Sequence, residues 1–383
     1  MSAVVATRLA SRIDAVIDAA LRESRLVGAV VMVVRRGEPV YRRAAGWADR
    51  ESGRPMRQDT LFRIASLSKP IVSTAAMALV AQGGLALGDA VERWLPYFTP
   101  LNPDGSAARI TVRHLMTHTA GLSYRFLEAD AHGPYARAGI CDGMERSDLT
   151  LEQNLRRLAG VPLWYEPGAA WGYSLATDVL GAVIEAAAAM PLADAVRMLV
   201  TEPAAMHDTG LTAREPRRLC VPYVNDGPVP RRLGVRETFT HDPAATGICF
   251  EPARATDAAQ YPSGGAGMVG TAGDFLRFLE ILRAGGAPVL PAGVVDEMGR
   301  HQIGTLHPTG APGHGFGLAS AVLRDPRTAG SPESPGTWSW GGAYGHAWSM
   351  DRAAGISLVA LTNTTYEGMS GRFVAALRDA VYA

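Results

Sequence analysis

Ser66 and Lys69 stand three residues apart in the segment Ser66-Leu67-Ser68-Lys69. On a helix, positions i and i+3 share a face, so a hydroxyl and an amine at this spacing can meet over one cleft. That pair suits acyl transfer, with the serine as nucleophile and the lysine as the base that activates it. A Ser-x-x-Lys string is common by chance, and its ordinary meaning is a serine cap followed by an exposed lysine. Three features set this one apart. Of the 37 Lys and Arg residues, Lys69 is the single lysine. Arginine keeps its proton in a protein, whereas a buried lysine can give its proton up and serve as a base. Next, Ser66 is expected at or near a helix N-terminus, where free N–H groups stabilise developing negative charge. Pro70, tolerated only in a first turn, fixes that start independently. Finally, Leu61, Phe62, Ile64 and Ala65 are apolar and should half-bury the pair.

A serine–lysine site also needs a proton relay and a place for the oxyanion. Tyr173, in Trp171-Gly172-Tyr173-Ser174-Leu175, follows a Pro167-Gly168 loop and precedes an expected helix, which suits it to the relay. The segment Trp338-Ser339-Trp340-Gly341-Gly342-Ala343 ends a candidate strand on two glycines. Glycines there let a backbone approach a ligand closely, so an N–H from this segment could pair with that of Ser66. Trp340, Gly341, Gly342 and the nearby His346 are the candidate substrate contacts.

These residues must be carried by particular elements. Leu9, Ile13, Val16, Ile17, Ala20 and Leu21 follow helical spacing and predict an amphipathic first helix. Residues 27–34 and 39–48 predict an antiparallel hairpin turned by Arg36-Gly37. A helix is expected over 66–82, stopped by Gly83-Gly84. From 85 to 265, helical segments such as 151–159 and 177–188 alternate with loops. The stretch 205–262 reads as surface loops or a lid. Strands return at 315–323, 337–340, 346–350 and 356–362, before a last helix over 370–382. This order predicts two units with the site at their interface. Residues 1–65 and 266–383 would form an α/β domain with an antiparallel sheet, and 66–265 a mostly helical domain with loops.

The bulk composition excludes several function classes. The chain has 383 residues, 47% hydrophobic and 19% charged, and its formal net charge is zero. That balance fits a globular protein and gives no basic surplus for nucleic acid or an anionic membrane. Arg8, Arg12, Asp14 and Asp18 break the N-terminal segment before a secretory apolar run can form. Ile71–Ala81 is too short to span a bilayer. Three widely spaced cysteines, Cys141, Cys220 and Cys249, predict free thiols in a reducing cytoplasm. No metal or cofactor is expected. His114 and His118 have i, i+4 spacing but no third ligand, and a packed helix ending at Gly121 is the better reading. Gly265, Gly267 and Gly270 match a Gly-x-Gly-x-x-Gly string, but Thr271-x-x-Asp274 after it reads as a helix cap. The Gly-x-Ser-x-Gly elbow of the α/β-hydrolases does not occur.

Ser66-x-x-Lys69, Tyr173-Ser174-x and Trp340-Gly341-Gly342 resemble, in order and spacing, the three motifs of the serine β-lactamase and penicillin-binding protein superfamily. The likeness is greatest to the class C β-lactamase-like esterases known as family VIII carboxylesterases. Supporting stretches are 115–122, 261–268 and 362–369, so the resemblance spans nearly the whole chain. It implies an antiparallel sheet flanked by helices plus a mostly helical insertion, a serine nucleophile at Ser66 and a proton partner at Lys69. It further implies Tyr173 as general base and then acid, the N–H groups of Ser66 and Ala343 as oxyanion hole, and Tyr124 as an aromatic beside the serine. The antibiotic-binding members carry Lys-Thr-Gly as the third motif and Asn at the end of the second. Here Trp340 and Leu175 stand in those places. Without these polar handles, neutral and fairly apolar esters are the expected small-molecule substrates. β-Lactam ring opening should be weak, while deacetylation of a cephalosporin side ester stays open. An acyltransferase using the same acyl-enzyme, or a β-lactamase or D-amino-acid peptidase, are the alternatives; the intact Ser66–Lys69–Tyr173 set argues against a non-enzymatic scaffold on the same fold.

Overall fold

The computed structural model describes residues 3–240 and 242–383. Its frame is an eight-stranded antiparallel sheet. In spatial order the strands are His314–Phe316, Ala321–Leu323, Trp338–Gly342, His346–Asp351, Ile356–Thr362, Gly28–Arg35, Glu38–Asp49 and Arg54–Pro55. The two ends of the chain therefore meet in mid-sheet, where Val31 pairs with Ala360. The hairpin turn falls at Arg36 and Gly37, both at positive φ, as a tight two-residue turn requires.

Strand Gly28–Arg35 is apolar on both sides because both faces of the sheet are covered. Ala29, Val31 and Val33 pack with Ile13, Ile17, Phe373 and Leu377 of the first and last helices, Ala3–Arg22 and Arg372–Tyr382. Val30, Met32 and Val34 face the other way, into the main core with Phe275 and Leu279 of helix Ala272–Arg283. That helix starts on Thr271, whose hydroxyl accepts from the Asp274 N–H, so the glycine string before it ends in a cap. The same core continues into Ile71, Val72 and Ala75 of helix Ser68–Ala81 and Val179, Leu180 and Val183 of helix Ala176–Ala188. Helix Leu151–Ala159 is fixed by a capping box between Thr150 and Gln153.

Three expectations are corrected. Residues 315–323 are two short strands, not one, because the chain turns through Gly317 to Ser320 and pairs with itself. The helix carrying His114 is Val112–Met116 and stops well before Gly121, since His118 takes φ +56. The stretch 205–262 holds two small ribbons, Tyr223–Val224 with Arg231–Arg232 and Glu237–Phe239 with Ile248–Phe250. Strands this short leave no readable period. Cys141, Cys220 and Cys249 are buried free thiols. Among the described residues, no single helix is long and apolar enough to cross a membrane.

Candidate active site

Ser66 occupies a single 3-10 turn, Ala65–Leu67, that runs straight into helix Ser68–Ala81. The α-helix thus begins two residues later than the pattern predicts, and Pro70 lies in its first turn. Ala65 has φ +46, a left-handed conformation that costs a non-glycine residue about 1–3 kcal/mol. Its surroundings hold it there. Ser68 Oγ donates to the Ala65 carbonyl at 2.6 Å, and the Ile64 N–H is bound to the Met268 carbonyl at 3.0 Å. The kink presents Ser66 to a cavity of about 860 Å³.

Lys69 reaches the serine from one turn below. Its Nζ donates to Ser66 Oγ at 3.3 Å and to the Gly265 carbonyl at 2.8 Å. Only 3% of the lysine is exposed, and its Nζ lies 4.5 Å from the centre of the Tyr173 ring and 5.4 Å from that of Tyr124. The Gly265 carbonyl was not foreseen in the sequence. The glycine string reaches Lys69 through its backbone.

Tyr173 supplies the shorter of the two side-chain contacts to Ser66, donating from Oη to Ser66 Oγ at 2.6 Å. Trp340 Nε1 donates in turn to Tyr173 Oη at 3.4 Å, with the two rings 5.3 Å apart. His118 lies 4.9 Å from the Tyr173 ring and shares a 3.2 Å hydrogen bond with Ser174 Oγ. Burial, and then the charge of Lys69, hold His118 well below the usual imidazole range, so it is a neutral support.

The third motif is brought to the serine turn by close packing. A Cβ placed on Gly342 would stand 2.8 Å from the Ile64 carbonyl and 3.0 Å from Leu67 Cδ1. Glycine is therefore what lets this strand lie against the turn that carries Ser66. Ala343 follows the last strand residue and lines the same cavity as Ser66. The Ser66 N–H precedes the first bond of its turn, which runs from the Leu67 N–H to the Ile64 carbonyl, and so has no partner within the turn.

Tyr124, Trp340 and Gly341 line the cavity. Tyr124 is buried and stacks on Phe126 with ring centres 4.4 Å apart. Burial, then the neighbouring Tyr173, Asp178 and Asp142, push its hydroxyl well above the usual phenol range. Asp142 pins this wall by accepting the N–H groups of Arg125 and Phe126 at 2.9 and 3.0 Å. Its carboxyl is pushed up to about 7 by burial and then by Glu145, against the pull of Arg125. Arg125 is paired with Glu145. Phe126, Trp164, Trp171, Ile248 and Met369 complete a largely apolar lining that sequence reading did not find.

His346 departs from expectation and does not join the cavity lining. It is 1% exposed, its Nε2–H donates to the Arg63 carbonyl at 2.9 Å, and its ring meets Phe62 edge-on. It braces the strand behind the serine turn because its period on the strand points it away from the cleft. Leu175 is likewise fully buried, turned into the core.

This geometry can be set beside known proteins. Esterase EstB of Burkholderia gladioli is 53% identical over 380 residues, covering 99% of this chain and 96% of that one. The structure of EstCE1, a hydrolase with promiscuous acyltransferase activity, superposes with a TM-score of 0.96 over the full length of both chains at 45% identity. Simvastatin synthase LovD of Aspergillus terreus shares the fold at 20% identity, with a TM-score of 0.74 over 98% of each chain. The profile of the Beta-lactamase family matches residues 13–383. With the serine turn, the tyrosine loop and the glycine strand in the family's order and the match running over nearly all its length, this chain belongs to the β-lactamase family.

Proposed function

We propose that this chain is a serine carboxylesterase that hydrolyses neutral, short to medium esters through an acyl-enzyme. The observation that carries the reading is the convergence of Tyr173 Oη at 2.6 Å and Lys69 Nζ at 3.3 Å on one oxygen, Ser66 Oγ, at the floor of an aromatic cavity. In the proposed reaction, Ser66 Oγ attacks the ester carbonyl carbon as its proton passes to the Tyr173–Lys69 pair. The N–H groups of Ser66 and Ala343 receive the oxyanion. The tetrahedral intermediate collapses, and Tyr173 returns the proton to the leaving alcohol. A water, deprotonated by the same tyrosine, then attacks the acyl carbon, the acyl–Oγ bond breaks, and the tyrosine returns the proton to Ser66 Oγ as the acid leaves. The reaction needs no cofactor.

The preference for neutral esters is supported by what the third motif holds. Trp340 stands where a lysine would meet a substrate carboxylate, and its indole N–H is turned to Tyr173 instead. The described residues lining the cavity include no Lys, Arg or His. An anionic substrate entering such a site loses its hydration and gains no paired cation. Deacetylation of a cephalosporin would then proceed with the carboxylate kept toward the open mouth. The partner proposed is this small ester alone, with no nucleic acid or membrane, and the three free thiols support a reducing, cytoplasmic setting.

A second reading, acyl transfer to an added alcohol, uses the same acyl-enzyme and is favoured by the apolar lining, which disfavours water. Product partitioning with added alcohol separates the two. The esterase reading is tested by a panel of nitrophenyl esters, nitrocefin and D-Ala-D-Ala peptides on the purified protein. Nitrocefin turnover matching that of a short nitrophenyl ester would overturn it.

A further inference from the structure

Asp178 is a buried acid that the proposed reaction does not use. It lies in the first turn of helix Ala176–Ala188, five residues after Tyr173, and is fully buried. Both carboxylate oxygens are out of solvent, and neither closes a hydrogen bond of normal geometry. Buried polar groups are nearly always paired, and this carboxylate has the Ser263 hydroxyl and the Gly265 N–H beside it without a well-formed bond to either. Gly265 is packed against it. A Cβ on that glycine would stand 2.5 Å from Asp178 Oδ2 and 3.1 Å from the Tyr124 hydroxyl. The carbonyl of the same glycine accepts Lys69 Nζ at 2.8 Å. A single glycine residue thus separates the buried carboxylate from the buried lysine nitrogen.

We propose that Asp178 is the counter-charge of Lys69 and a positioning residue for the Ser66–Lys69–Tyr173 set. The proposal deepens the esterase reading and rests on it. A charge kept from water needs an opposite charge near it. When Ser66 gives up its proton during attack, positive charge grows on Lys69, and the Asp178 carboxylate stabilises it across Gly265. Other groups face the same carboxylate: Lys69 from the serine helix, Arg254 from the 3-10 turn Pro252–Thr256, the Ser263 hydroxyl and Gly265 N–H from the glycine loop, and Tyr124 and Tyr261 from the walls. Burial raises its carboxyl, while Ser263, Lys69, Arg254 and the Gly265 N–H favour the charged form. Arg254 is already committed to the carbonyls of Gly143 and Tyr261, at 2.8 and 2.6 Å.

The test is Asp178→Asn, which keeps the shape and removes the charge. The pH profile of kcat/KM on nitrophenyl butyrate, the rate of Ser66 labelling by a fluorophosphonate, and Tm are measured together. With the counter-charge gone, the positive form of the set is disfavoured, so the limb of the profile that it governs moves to lower pH. The expected result is a shift of about one pH unit and a fall in kcat/KM of about ten- to a hundredfold, the scale of one charge pair at an effective dielectric near 20. The fall should lie in kcat, with KM little changed and labelling slowed in parallel. A profile that superimposes on that of the wild-type chain overturns the proposal, whatever happens to Tm. If the asparagine variant does not fold, Asp178→Ser is used in the same way. Failure of both to fold assigns the carboxylate to structure and overturns the proposal. Failure of the esterase reading would show in the wild-type chain instead, as no ester turnover and no label on Ser66.

Discussion

Replacing Tyr173 with phenylalanine removes one oxygen atom and, with it, the shortest contact to Ser66. The ring stays, so its packing against Trp340 at 5.3 Å and His118 at 4.9 Å is kept, as is the aromatic face over Lys69 at 4.5 Å. What goes is the 2.6 Å hydrogen bond to Ser66 Oγ, and with it the group proposed to carry the proton to the leaving alcohol. A positioned acid–base group contributes about 10²–10⁴ in rate, or about 3–5 kcal/mol at 1.36 kcal/mol per decade. Among the described residues, the other hydrogen-bond partner of the lost oxygen is Trp340 Nε1 at 3.4 Å, a long bond from a half-buried ring. Losing it should cost about 1 kcal/mol of stability or less. The expected outcome is therefore a fall of about 10²–10⁴ in kcat/KM on nitrophenyl butyrate, carried by kcat, with Tm moved by only a few degrees. Steady-state kinetics and a thermal melt on the same preparation check both halves. A loss of less than about tenfold, or 1.4 kcal/mol, would refute the role given to Tyr173.

Lys69→Arg carries a fixed positive charge and cannot act as a base, and should lose at least about a hundredfold in kcat/KM while the chain still folds; near-normal turnover would break the argument from the single lysine. Gly342→Ala places a methyl 2.8 Å from the Ile64 carbonyl and 3.0 Å from Leu67 Cδ1, so the strand must move off the serine turn. The cost expected is about 1–3 kcal/mol of stability in a urea titration, with kcat falling more than KM rises. His346 predicts a pH dependence of stability. Its imidazole is pushed down to about 4, mainly by burial, from 6.5 in an unfolded chain. The unfolded chain takes up that proton first, so the stability tied to neutral His346 is complete above about pH 6.5 and is lost as the pH falls toward 4. The full loss is about 3 kcal/mol. Urea midpoints at pH 7.5 and 4.5 should show the gap between the wild-type chain and His346→Gln narrowing in acid; a constant gap would rule this out.

The elements that place the site were largely legible because local chemistry writes them. Arg36-Gly37 between two apolar runs is a turn signal, and the Thr150–Gln153 box marks a helix start with its own side chains. Ser66 and Lys69 could be paired from their spacing, because a helix fixes which neighbours share a face. Residues that act through the fold left no such trace. The Gly265 carbonyl meets Lys69 across 196 positions, and a backbone group has no sequence signature. Asp178 looks like any first-turn acid until its burial is seen. His346 carried the opposite error, because nearness in sequence to a glycine motif says nothing about which side of a strand the ring takes. The 3-10 turn at Ser66 reads as plain helix in the sequence because an alanine gives no warning of the positive φ at Ala65.

Labelling by a nitrophenyl alkylphosphonate, followed by peptide mapping, bears most directly on the role of Ser66. One equivalent of phosphonate on the peptide carrying Ser66, loss of ester turnover in step with labelling, and no label or turnover in Ser66→Ala are the predicted results. A label on another residue, or ester turnover that survives Ser66→Ala, would contradict the account.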